Sequence, residues 1–288
     1  MFGDMPDLCH RNPGVYAELL RYATWLLEEI GFDGFRYDMV KGYGGWLVRA
    51  IQELRGLHGN QSFKPFGVGE CWDSDRTIED WLLEANAWSD NPVTAFDFPL
   101  RYRLKDLCDQ YGFSLRRLVE GGTISQNLPA QAVTFVENHD VARSDPVVAD
   151  KMLAYAFILT HEGYPCVFWQ DYYGYGLARE GAPDGIAALV RLHEDAAGGA
   201  TTVVHVDDDL YVMQRSGHAT QPGLAFALNN RGDWNGTWVR TQWPGTRLVP
   251  RAWYGNRGAA PMEKRTDADG WVDLWAPPRG YVAYVPDR

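Results

Sequence analysis

Along the first two thirds of the chain, apolar positions alternate between helical and extended spacing. After Asn12-Pro13, residues Val15, Leu19, Tyr22, Leu26 and Ile30 recur three or four apart, which predicts a helix over 13–30 closed by Gly31. Short apolar runs then predict strands at 33–38, 66–71, 93–98, 132–137 and 164–169. Between them the spacing predicts helices at 44–56, 75–88, 101–120 with a break near Gly112, and 146–162. A last helix over 183–194 places Ile186, Leu189, Val190 and His193 on one stripe. Strands separated by helices in this way build a parallel α/β sheet.

Beyond the small residues Ala196-Ala-Gly-Gly-Ala-Thr-Thr202 the period changes to two. Strands are expected at Val203–Val206, Leu210–Arg215, Leu224–Asn229, Thr237–Arg240, Trp271–Leu274 and Tyr281–Val285. Turn signals at Asp207-Asp-Asp209, Asn229-Asn-Arg-Gly232 and Asp267-Ala-Asp-Gly270 separate them. That spacing predicts a separate β-sandwich domain.

Three of the parallel strands run out into acidic residues: Gly34-Phe-Arg-Tyr-Asp38, Gly67-Val-Gly-Glu-Cys-Trp72 and Phe135-Val-Glu-Asn-His-Asp140. From 38 to 70 is 32 residues and from 70 to 140 is 70, about one and about two βα units. Carboxylates at the carboxyl ends of parallel barrel strands fall on the face where such barrels hold their active sites. Two carboxyl groups flanking a glycosidic bond can serve as nucleophile and proton donor, and a third anion can steady the cationic sugar that forms between them. A single Asp at a strand end is more often a cap or turn residue, and His139 or Arg36 alone reads as structural; three segments in order and at unit spacing outweigh those readings.

On these segments the chain resembles the α-amylase family of glycoside hydrolases. Met5-Pro-Asp-Leu8 resembles the end of that family's inserted domain, and Gly163-Tyr-Pro-Cys-Val-Phe168 its eighth barrel strand. The resemblance implies Asp38 as nucleophile, Glu70 as general acid/base and Asp140 as transition-state stabiliser, acting by double displacement with retention on α-1,4-glucans such as starch. It implies substrate contacts from Arg36, His139 and Lys41, with Tyr43 beside them; Trp72, directly after Glu70-Cys71 at a strand end, is singled out by its position as an aromatic platform for sugar. It also implies a structural calcium ion, for which Asp7 and the carbonyl of Gly42 are the matching groups; relatives often carry His at the latter position. Calcium prefers six to eight oxygen ligands, more than these two supply.

The family places a further segment of Asp-x-x-x-Asn-His type a hundred or more residues before the nucleophile, whereas only 37 residues precede Asp38 here. The expectation is therefore a C-terminal part of a longer protein: residues 1–12 the end of the inserted domain, 13–198 a partial (β/α)8 barrel of about five strands, and 199–288 the β-sandwich. Five strands leave two open edges. A transglycosylase or branching enzyme would use the same acids, and an inactive glucan-binding fragment is the reading from another class.

Composition narrows the partners. The 288 residues are 45% hydrophobic and 14% aromatic with 12 tryptophans, a folded globular composition. A formal net charge of −11 argues against nucleic acid and anionic membrane surfaces and leaves a neutral polysaccharide unaffected. No run of 18 apolar residues occurs, and residues 1–20 lack a signal-peptide pattern; an extracellular home fits the resemblance, and the full-length protein is expected to be a monomer. Cys9, Cys71, Cys108 and Cys166 are spread without zinc spacing or a disulfide framework.

Overall fold

The computed structural model describes residues 8–255 and 260–287. In chain order its helices are α1 (Pro13–Trp25), α2 (Gly45–Gln52), α3 (Asp75–Ala85), α4 (Phe98–Asp109), α5 (Ile124–Asn127), α6 (Val141–Ser144), α7 (Lys151–Thr160) and α8 (Ile186–Ala196). The strands of the first part are β1 (Gly34–Tyr37), β2 (Gly56–His58), β3 (Gln61–Phe63), β4 (Phe66–Gly69), β5 (Thr94–Phe96), β6 (Ala132–Phe135) and β7 (Tyr164–Cys166). Five of them form one sheet in the order β1-β4-β5-β6-β7, and the β1–β4, β4–β5 and β5–β6 ladders are parallel. All five strands expected from the sequence are present, each shorter than expected.

Helix boundaries follow from local hydrogen bonds. Asn12 caps α1 by accepting from the Gly14 N–H at 2.9 Å, with Pro13 at the first position. The expected helix to residue 30 instead widens into a π turn over Leu26–Ile30, because the N–H groups of both Gly31 and Phe32 reach the Leu26 carbonyl at 3.1 Å. Gly31, at φ 85°, then turns the chain into β1. Helix α3 stops three residues early because the Asn86 side chain accepts from the Val93 N–H at 2.8 Å and donates to its carbonyl at 3.0 Å, pinning the helix end to the start of β5. The helix expected from 146 begins at 151: Glu137 takes the Val147 N–H, and Asp109 takes those of Val148 and Ala149.

The chain divides into two compact units, residues up to 99 with 122–133, and 100–121 with 134 onward. The first has a core of Val40, Val48, Ile78, Trp81, Leu82, Val93 and Ala95 between its strands and α2, α3 and α5. The second contains the remaining strands: β8 (Thr201–Val206), β9 (Leu210–Arg215), β10 (Leu224–Asn229), β11 (Asn235–Arg240), β12 (Arg247–Tyr254), β13 (Lys264–Arg265), β14 (Trp271–Ala276) and β15 (Gly280–Asp287). A six-stranded sheet of order β13-β12-β15-β10-β9-β8 faces the β11–β14 pair, and Val212, Ala225, Val239, Leu274 and Val282 fill the space between them. The other face of the large sheet presents Tyr211, Met213, Phe226 and Tyr281 to a core shared with α7 and α8. That core continues across residue 198.

Candidate active site

In the first unit, β1 and β4 deliver the first two acids. Arg36 lies opposite Val68 in the ladder, and the Glu70 N–H continues it by donating to the Tyr37 carbonyl at 2.8 Å. Alternation along the strands then puts Arg36, Asp38 and Glu70 on one side. The Arg36 guanidinium pairs with both carboxylates, contacting Asp38 Oδ1 through Nη1 and Glu70 Oε1 through Nη2 at 2.9 Å. Glu70 is nearly buried, whereas Asp38 is exposed. The second Glu70 oxygen accepts from the Met39 N–H at 3.1 Å. Met39 adopts φ 43°, a conformation that costs a non-glycine residue strain and that aims this N–H at Glu70.

Around this cluster the Tyr43 hydroxyl donates to the Asp38 carbonyl at 2.9 Å. Burial, with the charge of Asp38 adding to it, pushes the Tyr43 phenol up to about 12. Lys41 is tied to the loop after β4, donating to the Trp72 carbonyl at 2.8 Å and to Asp73 Oδ2 at 3.0 Å. Asp73 in turn accepts from the Ser74 N–H and the Thr77 hydroxyl at the start of α3, and these bonds, with Lys41, hold its carboxyl below the usual range. Trp72 stacks on Phe98 with ring centroids 5.0 Å apart. Gly42 closes the short turn Val40–Gly42, and Asp7 lies outside the described residues. Among the described residues no three Asp, Glu, His or Cys side chains gather as a metal ion would need.

In the second unit, the segment after β6 carries Asp140. The Asn138 side chain accepts from the N–H groups of Asp140 and Val141, both at 2.9 Å, which folds the segment back on itself. The Asp140 carboxylate lies between His139 Nε2 and Arg143 Nη2, each at 3.2 Å, and Arg143 also donates to the His139 carbonyl at 2.9 Å. The structure thus brings Asp38, Glu70 and Arg36 together in one unit, and Asp140 and His139 together in the other. Asp73, Asn138 and Arg143 escaped the sequence reading; the only trace of them is their place one to three residues from a strand-end acid.

A parallel sheet with carboxylates at its strand ends, followed by an antiparallel sandwich, defines a partial (β/α)8 barrel protein with an appended β-domain. Residues 224–285 match the family described as Alpha-amylase C-terminal. The chain is 31% identical over 284 residues to the glucan 1,4-alpha-maltohexaosidase of Bacillus sp. (strain 707), covering 94% of this chain and 52% of that protein. It is 30% identical to the alpha-amylase of Geobacillus stearothermophilus, covering 97% of this chain and 52% of the relative. The chain therefore spans about half the length of these curated relatives. In fold it is similar to the crystal structure of alpha-amylase from Geobacillus thermoleovorans complexed with acarbose, with a TM-score of 0.72 over 98% of this chain and 66% of that one at 19% identity. The chain belongs to the α-amylase family of glycoside hydrolases.

Proposed function

We propose that this chain carries the catalytic acids of a retaining hydrolase of α-1,4-glucosidic bonds in starch-like glucans. The observation that carries the reading is the Asp38–Arg36–Glu70 cluster, two carboxylates at neighbouring strand ends held by one guanidinium. Asp38, the exposed member, attacks the anomeric carbon while Glu70 passes its proton to the departing oxygen; Glu70 then takes a proton from water, which releases the sugar from Asp38. Asp140, fixed between His139 and Arg143, stabilises the oxocarbenium-like state and receives sugar hydroxyls. Arg36 keeps the two reacting carboxylates in register, while Lys41 and Trp72 line the approach of the glucan. The names of the curated relatives, glucan hydrolases and amylases, support this substrate class.

The test is release of reducing ends from soluble starch by the full chain and by Glu70→Gln. The expected fall in kcat is about 10²- to 10⁴-fold. Wild-type rates in Glu70→Gln, or no release by either protein, would overturn the reading. Transfer products in place of new reducing ends would favour a transglycosylase, in which a sugar hydroxyl replaces water in the second step. The proposal extends to a structural calcium ion at Asp7 and the Gly42 carbonyl: added calcium should raise Tm and a chelator reverse the rise, and an unmoved Tm removes the ion from the account.

A further inference from the structure

Behind the Asp140 segment lies a chain of buried charges that the proposed chemistry does not use. Glu137, two residues after β6 and three before Asp140, is fully buried. Its Oε1 accepts from the Val147 N–H at 2.6 Å and faces Lys151 Nζ at 3.3 Å, while Oε2 pairs with Arg101 at 3.3 Å. Arg101, also fully buried, donates to the Val136 carbonyl on one side of the segment and pairs with Asp145 at 2.8 Å on the other. Lys151, mostly buried, reaches in the opposite direction to Asp171 Oδ1 at 2.8 Å. Asp171 is fully buried, and its other oxygen accepts from the Tyr155 hydroxyl at 2.6 Å. It sits in the wide turn Gln170–Gly174 that follows β7, beside the exposed Trp169 and Tyr173, whose rings are 4.1 Å apart.

We propose that Lys151 is a positioning residue, a buried ammonium that ties the segment carrying His139 and Asp140 to the turn after β7 and so fixes where Asp140 can stand. The inference rests on the role proposed above for Asp140. Lys151 is the one cation seen to contact both Glu137 and Asp171 among the described residues. Without it, the fully buried Asp171 loses the cation paired with it and Glu137 keeps only Arg101, which leaves the two segments without the charge that holds them to each other. Arg101 closes the base of the Asp140 segment but is not paired with Asp171, so among the described residues the ion-pair link between the two segments runs through Lys151. A cavity of about 290 Å³ beside Lys151, lined in part by Glu137, Asp150 and Tyr175, leaves room for a larger cation.

The test is a double-mutant cycle on glucan hydrolysis by the full chain, with Lys151→Met and Asp140→Ala. Displacing a reacting group by about 1 Å costs on the order of 100-fold, so Lys151→Met should lower kcat by about that factor with KM within about threefold. In the Asp140→Ala background the same substitution should cost less than about threefold, because the group that it positions is gone. Lys151→Arg should restore kcat to within about tenfold of wild type. Equal losses in both backgrounds, or wild-type kcat in Lys151→Met beside an impaired Asp140→Ala, would overturn the positioning role and leave the proposed function standing. Wild-type rates in Asp140→Ala would instead take down the role of Asp140 itself, and with it this inference. Should circular dichroism show Lys151→Met unfolded, the near-isosteric Asp171→Asn replaces it in the cycle under the same criteria.

Discussion

At the strand ends, backbone and side-chain chemistry are coupled residue by residue. Tyr43 illustrates this: its hydroxyl holds the Asp38 carbonyl, and its surroundings keep the phenol neutral up to about 12. An unfolded tyrosine ionises near 10, so the folded-state value is raised. Its contribution to stability is complete below about pH 10 and is lost as the pH rises towards 12. Tyr43→Phe should remove that share of the alkaline destabilisation, read as a smaller loss of Tm between pH 9 and 11; burial raises Tyr37, Tyr155, Tyr211, Tyr281 and Tyr284 as well, so the tyrosinate absorbance of wild type and variant should differ by one residue titrating towards pH 12. The strand-end acids were legible in the sequence because a carboxylate closing an apolar run has a recognisable position. Their supports were not: Arg143 and Asn138 act through bonds two to four residues long, and Lys151 meets Asp171 across 20 residues of chain, a pairing that no periodicity announces.

Among the elements, β4 shows how a strand serves two neighbours. Its glycines face the helices: a Cβ on Gly67 would lie 2.3 Å from the Gln52 side chain, and one on Gly69 2.2 Å from the Trp81 ring. Glycine lets α3 approach so closely that Trp81 packs directly on the strand backbone, while Glu70 projects from the next position on the other side. Gly69→Ala should therefore cost about 1–3 kcal/mol by overpacking and depress activity by shifting Glu70; a urea melt with the wild-type midpoint would contradict this. Most elements were readable from the periods of apolar residues, including β9 and β10 to the residue. β12 was not, because Pro250 interrupts it; the structure accommodates the proline with a register shift between Pro250 and Ala252 in the ladder with β15. The β2–β3 hairpin was hidden as well, being two strands of three residues around Gly59 at φ 61°.

At the scale of the molecule, the second unit joins barrel helices and sandwich in one core, and its most telling contact is polar. His161, at the end of α7, stacks on Phe157 with centroids 3.8 Å apart and bonds the Tyr211 hydroxyl of β9 at 2.8 Å. The Phe157 carbonyl can only accept, at 2.8 Å from Nδ1, so Nδ1 carries the proton and Nε2 accepts from Tyr211. Burial drives the imidazole down to about 3. The folded value is depressed, so the stability that it contributes is present above about pH 6.5 and is lost as the pH falls towards 3, at up to about 1.4 kcal/mol per pH unit. Acid unfolding of His161→Gln should show a slope shallower by about one proton over that window; an unchanged slope would contradict the buried neutral imidazole.

At its centre, in β9, β10 and β15, the large sheet of this unit has no wet side. In β10 every residue from Leu224 to Asn229 is buried, because one face meets the small sheet and the other meets the helices. A strand with one solvent face can drift at every second position without penalty; this one has no such positions. Over the descent of the protein, then, Leu224–Asn229 should be among its slowest-changing stretches, and it is where the match to the α-amylase C-terminal family begins.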